Sequence, residues 1–396
     1  MVNDCCARFL GRGLLAARVT VTLFLASLLL MPLTTIAEPG SPARVVNSSF
    51  DESAAVAGVP GCPVRFELDV SHAELLSNAY ADGELTKSDI ARFIEHPRTA
   101  DVIRKTRSFG LDVDRAMLAG QLAMLGAGKP IDDISFGLGR YAERSKATAA
   151  LLASLEDALP SLMESICGRL APYVPADRIF KQSVVVVSAV NSTGFTFEDP
   201  SQIFLVAEAF NGDVGGFADI VVHESYHAIQ SALTTGNPGY GDMDGRDHGF
   251  ATAMRLLAGT ILEGTATHVA DPIEAGKQGA MRAFQFRLAR RYRRDMPGLF
   301  VLFDTTLYRA FRDSEVNYDE LVGIGLQGNE GFYHLGAYMA RVIAETDGPQ
   351  AIPAYFLTSP VAFFGRYLAI VDADPAGHPQ FSSSTKRILQ ALSQGS

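Results

Sequence analysis

From about residue 65 to 172, apolar side chains recur every three to four positions. The segments "SHAELLSNAYADG", "TKSDIARFIEHP", "DVDRAMLAGQLAML" and "ATAALLASLEDALPSLMESICGRL" carry this period, which predicts a succession of amphipathic helices. Ser71, Thr86 and Asp112 are the expected N-caps, and Gly83, Gly110 and Gly126 the expected stops. The pattern then changes. "SVVVVSAV" at 183–190 and "QIFLVAEAF" at 202–210 are short apolar runs rich in β-branched or aromatic residues, separated by "NSTGFTFEDPS", and they predict two strands. After the turn-rich "NGDVGG" the helical period returns in "FADIVVHESYHAIQSAL" and ends at "TTGNPGYG". A glycine-rich loop, a helix over about 249–270 and further helices follow, among them "EGFYHLGAYMARVIAETDG", "PVAFFGRYLAIVDA" and "SSTKRILQAL".

The first 37 residues follow another logic. Arg8, Arg12 and Arg18 precede the apolar run "VTVTLFLASLLLMPL", and small residues lead to an expected cut after Ala37, the pattern of a secretory signal peptide. The run falls short of the ~20 residues that a membrane-spanning helix needs. Residues 38–64, rich in Pro, Gly, Ser and Ala, read as a linker. The expected organisation is thus a signal peptide at 1–37, a linker at 38–64, a helical region at 65–178, a core at 179–275 and a C-terminal helical region at 276–396. Removal of the signal would take Cys5 and Cys6 with it, leaving Cys62 and Cys167, which could pair in an oxidising compartment.

Charge narrows the function classes. The chain of 396 residues carries a net charge of −10, and past residue 37 the balance is 31 basic against 43 acidic residues, a net of −12. Nucleic-acid binding requires a concentrated basic face, so no nucleic-acid partner is expected. The one basic cluster, "RLARRYRRD" at 287–295, reads at helical spacing as a solvated face.

The chemistry concentrates in "VVHESYHAIQ". On a helix, residues i and i+4 project from one face, so His223 and His227 can turn imidazole nitrogens toward one ion, with Glu224 beside it and not obliged to ligate. A catalytic zinc site takes three protein ligands and leaves one position open. The candidates for the third are His248, Glu263, His268 and the loop acids Asp242, Asp244 and Asp247, whose spacing is not that of a calcium-binding EF-hand loop. No histidine occurs in "AIQSALTTGNP", which disfavours a third histidine close behind the motif. "GTILEGTATHVA" places Glu263 on a second helix, where Gly264 and Ala266 would allow close packing against the first.

"LEGTATHVA" resembles the glutamate-bearing helix of the gluzincin metallopeptidases, in which an E-G-x-A pattern supplies the third ligand. Here it lies 36 positions after His227, farther than in the aminopeptidase branch of that clan. Over roughly residues 70–370 the order of a helical segment, short strands, "HESYH", "EGTA" and a late "YHLGAYMA" helix is similar to a bacterial family of zinc-dependent peptidases described only as a domain of unknown function. The likeness is sharpest at His223, Glu224, His227 and Glu263. It implies a mostly helical α+β, zincin-like fold with a small sheet beside the motif helix. It also implies Zn2+ held by His223, His227 and Glu263, Glu224 as general base, and a peptidase acting on peptide or protein substrates, while the signal peptide makes that peptidase an expected exported one, periplasmic or secreted. Tyr333 is the first candidate for an oxyanion donor, with His334, Tyr240 and His248 behind it. By the same analogy "IFLVAEAF" is the segment expected to pair with substrate as an added strand. Two other classes fit the same residues: an inactive binding protein on this fold, and a zinc hydrolase of a cell-wall amide.

Overall fold

Val64, Phe66 and Leu68 alternate with Arg65, Glu67 and Asp69, and this stretch forms strand β2 (Val64–Asp69), with Val64 and Phe66 buried. It belongs to a five-stranded sheet with β1 (Ala55–Ala57), β3 (Phe180–Val187), β4 (Gly194–Thr196) and β5 (Gln202–Val206). The computed structural model describes residues 55–57, 61–131, 133–241, 243–326 and 330–395. The signal segment and most of the linker expected from sequence lie outside these residues. The spatial order is β1-β2-β3-β5-β4; β2, β3 and β5 run parallel, and the short β1 and β4 pair antiparallel at the two edges.

Two details depart from the sequence pattern. β1 and β2 fall where a linker and then helices are expected. The second predicted strand stops at Val206 and turns through a 3-10 segment at Ala207–Ala209. There the Glu208 carboxylate accepts from the Ala189 amide at 3.0 Å, and the chain leaves the sheet. β5 is therefore paired on both sides, and the edge strand beside it is β4, so "IFLVAEAF" is not free to add a substrate strand.

The crossover from β2 to β3 runs through α1 (Ser71–Ala79), α2 (Lys87–Glu95), α3 (Thr99–Arg107), α4 (Arg115–Gly126), the single turn α5 (Asp133–Phe136) and the long α6 (Leu138–Leu170). Thr86 caps α2 in a reciprocal capping box with Asp89, as its sequence suggests. Ser71 is the first residue of α1 and bonds back to Asp69, and the cap of α4 is Asp114, not Asp112. A disulfide joins Cys62, at the entrance to β2, to Cys167 in the last turn of α6, closing a separation of 105 residues.

After β5 come α7 (Val214–Thr234), α8 (His248–Ala270), α9 (Ala280–Arg294), α10 (Met296–Arg312), α11 (Tyr318–Gly325), α12 (Gly331–Asp347), α13 (Ala351–Ala354), α14 (Pro360–Ala373) and α15 (Ser383–Gln394). The architecture is α+β and mostly helical. Val184 to Val187 are all fully buried, as a strand covered on both faces requires. On one of those faces Gln182 donates to the Ser225 carbonyl of α7 at 2.8 Å.

α7 is fixed at its start. Asp213 caps it by accepting from the Gly216 amide at 2.8 Å. One turn on, the buried Asp219 takes Arg169 of α6 at 2.6 Å and Arg282 of α9 at 2.7 and 2.9 Å. Arg169 also donates to the Ala270 carbonyl at the end of α8, so one carboxylate gathers four helices. Removing one member of such a buried group strands the other charges. Asp219→Asn is expected to cost about 3 kcal/mol, seen as a lower denaturant midpoint at unchanged slope. A loss under about 0.5 kcal/mol, the ordinary surface range, would contradict this anchoring role.

Candidate metal centre

His223 and His227 stand in the middle of α7, one turn apart, and Glu263 stands in the third quarter of α8. The two Nε2 atoms are 3.0 Å apart, and Glu263 Oε2 lies 3.5 Å from that of His223 and 3.2 Å from that of His227. Ligands about 2.0–2.1 Å from a tetrahedral zinc ion stand about 3.3 Å from one another. The triangle already has that edge length, and the donors, two imidazoles and a carboxylate, are those zinc takes. Among the described residues these three form the one cluster of this kind.

A polar neighbour sets the tautomer of His227. Gln230, 1% exposed and three residues further along α7, donates its amide to the Leu262 carbonyl at 2.8 Å and to the Thr265 hydroxyl at 2.7 Å. Its oxygen is thereby turned to His227 Nδ1, 2.7 Å away, and can only accept. The proton sits on Nδ1 and Nε2 faces the triangle. Gln230 thus orients His227, a candidate ligand, and ties α7 to α8 at once.

Charge in the triangle is strongly coupled. Burial opposes a proton on His227, but Glu263 attracts and accepts it, with help from Glu224 and Gln230, and the imidazole is raised to about 9. Burial likewise opposes ionisation of Glu263, and the two histidines overcome it, bringing the carboxyl down to about 2. A metal ion held by His227 Nε2 would displace the second proton, the one on that nitrogen, while Nδ1 keeps its own. Zinc affinity is therefore expected to fall about tenfold per pH unit below pH 9. Calorimetric titration near pH 7 in buffers of different ionisation enthalpy should find about one proton released per ion; zero release would contradict the coupling.

Glu224 is buried beside the triangle, and its Oε1 has no hydrogen-bond partner among the described residues. Burial raises its pKa, the histidines and Lys105 pull it down, and Glu263 pushes it up. Tyr333, in the first turn of α12, lays its ring nearly parallel to that of His223, with centroids 6.4 Å apart. Its buried hydroxyl faces Glu263, and burial followed by that carboxylate holds its pKa well above the usual tyrosine value.

α12 comes this near because of two glycines. A Cβ on Gly264 would lie 2.4 Å from Gly336 Cα, and one on Gly336 would lie 2.2 Å from the Thr260 carbonyl oxygen. The small residue after Glu263 thus serves the contact with α12, and not the packing against α7 expected from sequence.

The other candidates lie elsewhere. His248 begins α8, fifteen residues and roughly 22 Å of helix before Glu263, and bonds the Val316 carbonyl at 3.0 Å. His268 pairs with the Tyr173 hydroxyl at 3.0 Å, and burial lowers it to about 4. His334 stacks on Tyr292, 4.9 Å between centroids, and Tyr240 donates to the Tyr355 carbonyl at 3.1 Å. Asp247 caps α8 through the Phe250 amide, Asp244 is not in the cluster, and Asp242 lies outside the described residues.

Two charged residues near the site escaped the sequence reading. Glu330, left-handed at φ 51° ahead of α12, is raised to about 7 by burial and by Glu263. Lys105 of α3 is 4% exposed and pushed down to about 8 by burial, against the attraction of Glu224.

A family model described as "Putative zinc dependent peptidase (DUF5700)" matches residues 117–376. The chain belongs to this family. The match takes in every residue of the triangle, Glu224 and Tyr333, and the family's zinc dependence agrees with the donor set. No curated protein and no solved structure matches the chain.

Proposed function

We propose that the protein is an exported zinc-dependent peptidase whose metal ligands are His223, His227 and Glu263. The observation that carries this is the triangle itself, three donor atoms at zinc-ligand spacing with a buried, unpartnered carboxylate oxygen alongside. Zinc bound there supplies Lewis acidity and a water acidified toward neutrality. Glu224 takes a proton at Oε1 and returns it to the nitrogen of the leaving amine, and burial makes it a stronger base than an exposed carboxylate. Tyr333, protonated across the working pH range, donates its hydroxyl hydrogen to the carbonyl oxygen as negative charge builds there. Gln230 keeps His227 in the ligating tautomer.

Export is supported by the basic and apolar start of the sequence and by the Cys62–Cys167 disulfide, which persists in an oxidising compartment. Among the described residues no helix is long and apolar enough to cross a membrane. The acidic balance supports a peptide or protein partner over a nucleic acid.

Metal analysis of the purified protein tests the reading, beside cleavage of an unstructured, casein-like protein before and after chelation. About one zinc per chain is expected, lost in His223→Ala and in Glu263→Ala, with cleavage restored when zinc is returned to the wild type. Zinc that survives both substitutions would remove the site. Zinc with no cleavage of any peptide would leave the binding protein or the cell-wall amidase.

A further inference from the structure

Residues 280–312 hold eight arginines and two acids, a net of +6, while the rest of the chain past residue 37 has 23 basic against 41 acidic residues, a net of −18. Five of these arginines, Arg287, Arg290, Arg291, Arg293 and Arg294, are exposed on α9, whose buried side is filled by Ala289 and Tyr292. Among the described residues, Asp295, 4.0 Å from Arg294, is the one carboxylate within ion-pair distance of the five. Arg287 and Arg291, like Arg290 and Arg294, stand four apart, where like charges repel. A face that is merely solvated relieves such repulsion with interleaved acids, and residues 281–294 contain none. The five arginines line a cleft of about 750 Å³ together with Ile273 and Phe286.

α9 passes into α10 through Asp295 alone, at φ −95° and ψ 14°, and the exposed positions continue at spacings of three and four from Arg287 through Arg294, Gly298 and Val301 to Arg312. In α10 this stripe turns apolar: Val301, Leu302 and Tyr308 are 65%, 38% and 52% exposed. An apolar patch edged by arginines marks an interaction surface. An acidic peptide would neutralise the arginines and leave Val301 and Leu302 in water. A bilayer with anionic headgroups satisfies both parts, because guanidinium forks match phosphate oxygens and apolar side chains enter the boundary between headgroups and acyl chains.

We propose that α9 and α10 dock the protein on an anionic phospholipid surface, with the α9 arginines on headgroup phosphates and Val301 and Leu302 at the acyl boundary. Arg282 of α9 bonds Asp219 of α7, so docking holds the motif helix in a fixed orientation to that surface. The inference stands apart from the peptidase reading, since no residue of α9 or α10 belongs to the ligand triangle.

The chain has no tryptophan, so Val301→Trp supplies a single, local reporter. Its fluorescence reads contact at α10 alone, and lipid binding by the apolar N-terminal segment leaves it unmoved. On vesicles rich in phosphatidylglycerol its emission is expected to shift to shorter wavelength and to be quenched by bromine on the acyl chains. Vesicles of phosphatidylcholine should give neither effect, and added salt should weaken the first by screening.

Arg287, Arg290, Arg291 and Arg294 are then replaced together by Gln in the same background. Each arginine near an anionic surface is worth about fivefold in affinity, so the loss should be at least a hundredfold in the lipid concentration that gives the half-maximal shift. The circular dichroism spectrum should be unchanged, since the four side chains are exposed and their removal relieves repulsion. Emission that stays unmoved on phosphatidylglycerol, or a shift that survives the four substitutions, would overturn the proposal. Soluble polyglutamate is the competing ligand. Binding of polyglutamate that requires the four arginines, with no shift on vesicles, would assign the face to an acidic protein and overturn the membrane reading.

Discussion

Glu224→Gln is expected to lower kcat by about 10²–10⁴-fold, the range for loss of a positioned general base, with zinc content and KM little changed. Glutamine keeps the shape of the side chain and cannot take a proton. Nothing in the ligand triangle depends on Glu224, since the three donor atoms are contributed by His223, His227 and Glu263. The variant should also be at least as stable as the wild type. A buried carboxylate whose Oε1 has no partner is costly to hold, and that burial, with repulsion from Glu263, outweighs the attraction of His223, His227 and Lys105 that a neutral amide gives up. The combination is diagnostic: activity lost, metal kept, melting temperature kept or raised. Loss of zinc in this variant would make Glu224 a ligand, and unchanged turnover would place the base elsewhere.

How far the sequence anticipates this site follows from which of its parts are local. The relation of His223, Glu224 and His227 is a matter of helical pitch within five residues, so it is legible in "HESYH". Glu263 is legible through the family resemblance of its pattern, although the 35 intervening residues say nothing of how α8 returns to α7. That return rests on Gln230, which has no motif; only its place three residues beyond His227, on the same helical face, could have drawn attention to it. Lys105 was illegible for the opposite reason. In "DVIRKTRSFG" it sits among charged residues and reads as one more solvated position, until α3 lies across β4 and buries it. β2 escaped because six alternating residues are a weak signal and their partner strand begins more than a hundred residues later, a pairing that only the folded crossover creates. The glycine of "EGTA" was visible as a close approach, but a small residue announces a neighbour without naming it. The neighbour is α12.

That contact gives the largest expected effect of a single methyl group. Gly336→Ala would set a Cβ 2.2 Å from the Thr260 carbonyl oxygen and 2.8 Å from Gly264 Cα. Both obstacles are backbone in the interior of α8, so no side chain can rotate aside and the helices must separate. Overpacking in a core costs typically 1–3 kcal/mol and more where the surroundings cannot give. A loss of about 3 kcal/mol is expected here, against a gain of up to about 1 kcal/mol for Gly365→Ala, a helical position on α14 where an added Cβ meets nothing within 4 Å. The same displacement reaches the site. Tyr333 lies three residues before Gly336, on the turn that faces Glu263 and His223, so moving α12 outward draws its hydroxyl away from Glu263 and His223. A misplacement of about 1 Å can cost about a hundredfold in rate. Gly336→Ala should therefore lose about two orders of magnitude in kcat at a temperature where it is fully folded, while its zinc content stays at that of the wild type because α7 and α8 remain joined through Gln230. Comparing it with Tyr333→Phe separates the two contributions. If Tyr333 is the oxyanion donor, Tyr333→Phe alone should lose a similar factor with little change in stability, and the double variant should lose scarcely more activity than either. Full additivity of the two losses would mean that the helix contact acts on catalysis by a route other than Tyr333.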